Sequence, residues 1–156
     1  TEMLTKIKMV DSLSVFVEQS AYAEFERRAY ELKGDALTGE NLTTLFGDVA
    51  MEFGFGDLGA NKIFFTQITH FYTNPMYVFS YVVSNDVAFQ IYQMELEESG
   101  SGLELYQQCL ESTDSFLGSF TQYYGLENPF AEGRLESVLQ TLKEKLKDYV
   151  LVKLLN

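Results

Sequence analysis

Apolar positions along the chain recur mostly at three- and four-residue steps, the period of a helix with one buried face. Residues 2 to 33 follow this step through Leu4, Ile7, Val10, Leu13, Val17, Ala21, Phe25 and Leu32, with Gly34 as a natural stop. This predicts one long helix, or two with a small kink. Thr38 is placed to cap a second helix over roughly 39 to 53, whose Leu42, Leu45, Phe46, Val49 and Phe53 fit one stripe. Residues 62 to 73 are apolar and aromatic; β-propensity allows a strand, but a short helix or an irregular segment leading into Asn74 is favoured. Asn74-Pro75 reads as a helix start, because Asn caps free amides and Pro needs no amide at the first helical position. The helix so begun runs to about Ser99. It is apolar nearly all round, which predicts the central and most buried helix.

Ser101 and Glu104 have capping-box spacing for a further helix, with Leu103, Tyr106, Cys109 and Leu110 as its apolar face. A shorter helix starting at Thr113 or Asp114 carries Phe116, Leu117, Phe120 and Tyr124. Asn128-Pro129 repeats the cap-then-proline device before a last helix with Leu135, Val138, Leu139, Leu142, Leu146 and Val150. No repeat or linker divides these pieces. The expected fold is all-α, a bundle of about six helices forming a single unit over 1–156.

Composition narrows the function classes. The 156 residues are 46% hydrophobic and 15% aromatic, which suits a chain with a packed core. The net charge of −12 disfavours nucleic acid and anionic membrane as partners, since phosphates are repelled. No apolar run reaches the roughly 18 residues of a membrane span. The single cysteine, Cys109, allows no intrachain disulfide and fits a reducing, cytoplasmic setting; its simplest role is a small core residue.

Two motifs are set aside on context. Gly54 to Gly59 matches G-x-G-x-x-G, but a helix precedes it and no βαβ unit follows, so the expected role is a reversing loop. Asn41-Leu42-Thr43 matches a glycosylation sequon inside a predicted helix. Glu24 and Glu26 lie two apart on a helix and do not face each other, so at least one is a solvated charge. Glu95, Glu97 and Glu98 sit at a helix C-terminus, where carboxylates oppose the dipole and are expected to be well solvated. They are poor zinc ligands by themselves.

Candidate chemistry concentrates at residues 70–81, His-Phe-Tyr-Thr-Asn-Pro-Met-Tyr-Val-Phe-Ser-Tyr. His70 is the only histidine of the chain. Tyr72, Tyr77 and Tyr81 lie beside it, and Tyr92 follows further on. Four-residue spacing puts Tyr77 and Tyr81 on one helical face, with His70 at its mouth. Such a cluster suits a polar ligand; it also suits a half-buried packing cluster with no ligand.

His-Phe-Tyr followed by Asn-Pro-x-Tyr-Val-Phe-x-Tyr resembles the late part of the M3 family of zinc oligopeptidases, the oligoendopeptidase F branch. The likeness runs in order along most of the chain. Phe16 to Leu32 is similar to a helix with an Ala-Glu-Phe-Glu run, Leu37 to Leu42 to the next helix start, and Gly125 to Phe130 to the segment before the final helix. The resemblance implies zinc-assisted hydrolysis of short peptides by the intact enzyme. It also implies that the glycine-rich stretch lies near the active-site cleft. Zinc in that family sits on an H-E-x-x-H helix, which one histidine cannot build. The expectation is therefore a C-terminal piece, inactive alone, with no metal site of its own and zinc in the intact enzyme. Tyr81 is the expected oxyanion donor, His70 its catalytic companion, and Tyr77 and Tyr72 substrate-binding groups. A surface exposed by truncation would favour a homodimer. The competing expectation is a non-catalytic helical module that binds a peptide or a partner helix.

Overall fold

The computed structural model describes residues 2–55, 59–113 and 117–154. Among the described residues the fold is all-helical, with no strand, and no helix is long and apolar enough to cross a membrane. Helix α1 spans Glu2–Ala29 and α2 Gly39–Glu52. A short α3, His70–Thr73, precedes α4, Val78–Glu97. Then come α5 (Ser101–Leu110), α6 (Leu117–Tyr123) and α7 (Arg134–Leu154). Two 3-10 segments, Gly34–Ala36 and Gly59–Gln67, link the early elements. Gly56, Asp57 and Leu58 of the glycine-rich stretch lie outside the described residues, as do Asp114 and Phe116 and the side chain of Val150.

The N-terminal helix is continuous but stops at Ala29, short of residue 33. Thr38 caps α2 as expected: its Oγ1 accepts from the Asn41 N–H at 3.2 Å.

The chain divides into two compact units, residues 14–82 and residues 1–13 with 83–156. In the first, α1, α2 and the 59–67 segment enclose Ala21, Phe25, Phe46, Val49 and Phe65. Phe25 is the hub. Its ring centroid lies 5.2 Å from Phe46, 5.2 Å from Phe65 and 5.4 Å from Phe71, in edge or tilted arrangements. Each such pair contributes about 0.5–1.5 kcal/mol beyond area burial. The core therefore fixes α3, through Phe71, against α1.

The second unit differs from the sequence expectation in four places. Its part of α4 is not uniformly apolar inside: the buried positions include Asp86 and Gln90 beside Phe89. These polar groups are tolerated because each is hydrogen-bonded. Gln90 donates to Asp86 Oδ2 at 2.8 Å and to the Glu127 carbonyl at 3.0 Å, and accepts from the Glu127 N–H at 2.8 Å. Nor does a Ser101–Glu104 capping box start α5. Ser101 Oγ donates to the Met94 and Glu98 carbonyls, and the Glu95 carboxylate accepts from the Gly100 and Leu103 N–H groups. Glu95, in the last turn of α4, caps α5, and those backbone donors, Gly100 first, hold its carboxyl below the usual range.

The third difference is the buried face of α5, which is Gly102 and Leu105; Leu103, Tyr106 and Leu110 are exposed, and Cys109 is half-buried. A Cβ on Gly102 would lie 2.4 Å from the Ile91 carbonyl oxygen, so α5 crosses α4 at backbone distance. The face turned inward is the one that permits that approach. The fourth is Asn128-Pro129, which makes a turn and not a helix start. Asn128 Oδ1 accepts from the Phe130 N–H at 2.9 Å, and α7 begins at Arg134.

Candidate functional site

The site is built in the unit of residues 14–82, where α3 hands over to α4. Asn74 does not cap a helix running from Pro75. Its Nδ2 donates to Thr73 Oγ1, and the Asn74 N–H closes α3 on the His70 carbonyl. The chain then turns, and α4 starts at Val78, which is 1% exposed. The reason is Met76. Its φ of +60° is left-handed, the only positive φ at a non-glycine residue among those described, and a helix cannot pass through it. The Met76 N–H instead donates to Glu26 Oε1 of α1 at 2.7 Å.

Tyr77 thus precedes α4, and Tyr81 sits in its first turn. The expected convergence still forms. Tyr81 Oη lies 3.2 Å from His70 Nε2. The Tyr77 ring is 4.8 Å from the imidazole and meets Tyr81 edge-on at 5.5 Å. Tyr77 and Tyr81 are 45% and 39% exposed, so both can reach a ligand from solvent. His70 is half-buried, and its Nδ1 is covered without a hydrogen-bond partner. A phenol donates and accepts at once. With the proton on Nε2, His70 donates to Tyr81, and Tyr81 donates onward to an anionic oxygen; with the proton on Nδ1, Tyr81 donates to His70. The tautomer therefore decides which way the site points.

Tyr72 is placed elsewhere. It is exposed and lines a recess of about 250 Å³ with Phe25, Glu26, Tyr30 and Phe71. Tyr92 belongs to the other unit.

Glu26 is the residue that spacing did not single out. It is 3% exposed, against a partly exposed Glu24. Glu24 binds Arg27 and Arg28, and those guanidinium groups, Arg27 first, hold its carboxyl down to about 2. Glu26 has no cation partner among the described residues. Its Oε1 takes the Met76 N–H and the Tyr30 hydroxyl, at 3.2 Å, while Oε2 is covered with no partner. The available signal was its position between Tyr22 and Tyr30 at four-residue steps, next to the buried Phe25. Tyr22 bonds Glu18 at 2.6 Å, and burial, then that bond, push its phenol well above the usual range.

Among the described residues, no group of three or more His, Cys, Asp or Glu side chains is placed to hold a metal ion. The described residues do not fit a zinc site, and no chemical step proposed for this chain runs through a metal that it holds. Compared with protein-family models, curated proteins and solved structures, the chain matches none of them.

Proposed function

We propose that this chain is the substrate-binding portion of a zinc-dependent oligoendopeptidase of the M3 type, working with a segment that carries the H-E-x-x-H helix. The observation behind this reading is the meeting of His70, Tyr77 and Tyr81 at one partly exposed corner, with Tyr81 Oη 3.2 Å from the imidazole. Peptide hydrolysis develops negative charge on the scissile carbonyl oxygen. A preorganised phenol that donates to that oxygen stabilises the transition state more than the ground state. Tyr81 takes this role, His70 holds its hydroxyl from the other side, and Tyr77 positions the peptide; Tyr72, in its separate recess, is left out of this cluster. The net charge of −12 disfavours nucleic acid as a partner.

The test is to co-express the chain with the segment encoded upstream of it and to assay a quenched-fluorescent nonapeptide. In-frame H-E-x-x-H and chelator-sensitive cleavage are expected from the pair and not from the chain alone. An upstream segment without that motif, and no cleavage by the pair, would favour the non-catalytic binding module.

A further inference from the structure

We infer that Glu26 is a positioning residue, whose buried carboxylate holds the left-handed turn at Met76 and thereby sets the ring geometry of His70, Tyr77 and Tyr81. It deepens the proposed function by naming what orders the site, and its test needs no substrate.

Residues 74–77 are the chain segment that joins α3 to α4. Glu26 grips that link in its middle, at 2.7 Å and 50 residues away in sequence. Both sides of the cluster are thereby tied to adjacent residues of α1. His70 is fixed through its neighbour Phe71, which packs on Phe25 at 5.4 Å; Tyr77 and Tyr81 follow from Met76, which is fixed by Glu26. Two unfavourable features coincide at this contact. Met76 occupies a backbone region that disfavours a side chain. Glu26 is a covered carboxylate with one oxygen unpartnered. Neither belongs to the apolar core, which is built from Ala21, Phe25, Phe46, Val49 and Phe65. Strain and an unsatisfied polar group beside a cluster of donors are the marks of a site ordered at the expense of stability.

His70 is the only histidine, so its ring proton signals are unambiguous by NMR. In the unmodified chain, nuclear Overhauser cross-peaks are expected from the His70 ring to the rings of Tyr77 and Tyr81. Glu26→Gln keeps an oxygen for the Met76 N–H and should keep the cross-peaks. Glu26→Met fills the same space without an acceptor. It should lose them while the chain stays folded. Adding Met76→Gly to Glu26→Met removes the backbone penalty at φ +60° and should bring them back at least in part. Cross-peaks that survive Glu26→Met would overturn the inference, as would their loss in Glu26→Gln. Unfolding of Glu26→Met by far-UV dichroism would also overturn it, making Glu26 a residue of the fold. These contacts are read without peptide, so failure of the peptidase reading leaves the result standing, and the reverse.

Discussion

Arg134 Nε donates to Asp86 Oδ1 at 2.9 Å, and the two side chains are only 5% and 6% exposed. The same guanidinium reaches Gln93 Oε1 at 3.2 Å, and Gln93 in turn donates to Thr141 Oγ1 at 2.9 Å. This buried polar network joins α4 to α7. Removing one member of a buried pair leaves the other charge uncompensated, which costs about 3–5 kcal/mol. Arg134→Met should therefore lower the urea midpoint sharply. Asp86→Leu combined with Arg134→Met should recover much of the loss. A single variant within 1 kcal/mol of the parent, taking about 1.4 kcal/mol as tenfold in the folding constant, would contradict the network's place in the core.

Close approach at Gly102 gives a second prediction. A methyl group there meets the Ile91 carbonyl oxygen at 2.4 Å and Glu95 Cβ at 2.7 Å, and neither is the end of a flexible side chain. Gly102→Ala should destabilise by about 1–3 kcal/mol. Gly39→Ala, in the first turn of α2 with nothing within 4 Å, should be neutral or stabilising by up to about 1 kcal/mol. Thermal melts of the two variants should move in opposite directions, or the second not at all.

The Glu24–Arg27–Arg28 group sets part of the acid response. The folded carboxyl is held near 2 against an ordinary 4.5, so the folded state binds its proton less readily than the unfolded chain. The stabilisation is present above the ordinary value and is lost as pH falls toward 2. It is small, because exposed charges are screened. Carboxyl carbon NMR should show Glu24 titrating near 2, and Glu24→Gln should melt lower than the parent at pH 6 with the gap closing on acidification. A midpoint near 4.5 would contradict the ion pairs.

Local rules in the sequence reach as far as the elements that local chemistry decides. Thr38 sets the start of α2 because its hydroxyl serves an amide three residues on. The convergence of His70 with Tyr81 was legible because both flank one short link. The start of α4 was not. Asn-Pro signals a helix start and a turn alike, and the choice falls to a carboxylate 50 residues earlier. The polar interior of α4 was hidden for the same reason: Asp86 looks like a surface residue until Arg134, 48 residues later, is folded against it, and Gln90 until the Glu127 backbone is. Ser101 lost the cap of α5 to Glu95, which the preceding turn carries back onto the free amides. The departures at Met76, inside α4 and at the start of α5 trace to side chains whose partners are distant or come from the neighbouring helix; the Asn128 turn is closed locally, on the Phe130 N–H.

The central claim is that Tyr81 donates to the oxyanion of a peptide undergoing hydrolysis. Steady-state kinetics of Tyr81→Phe, in the chain joined to an M3-type H-E-x-x-H segment and with zinc content matched, tests it most directly. The ring and its edge contact with Tyr77 remain, and only the hydroxyl is lost. A donor used mainly in the transition state predicts a fall in kcat of roughly 10²–10³, with KM changed far less. Tyr77→Phe should do less, and His70→Ala should weaken both terms. A Tyr81→Phe enzyme with kcat within a factor of a few of the parent would contradict the account and leave the three rings as a packing cluster.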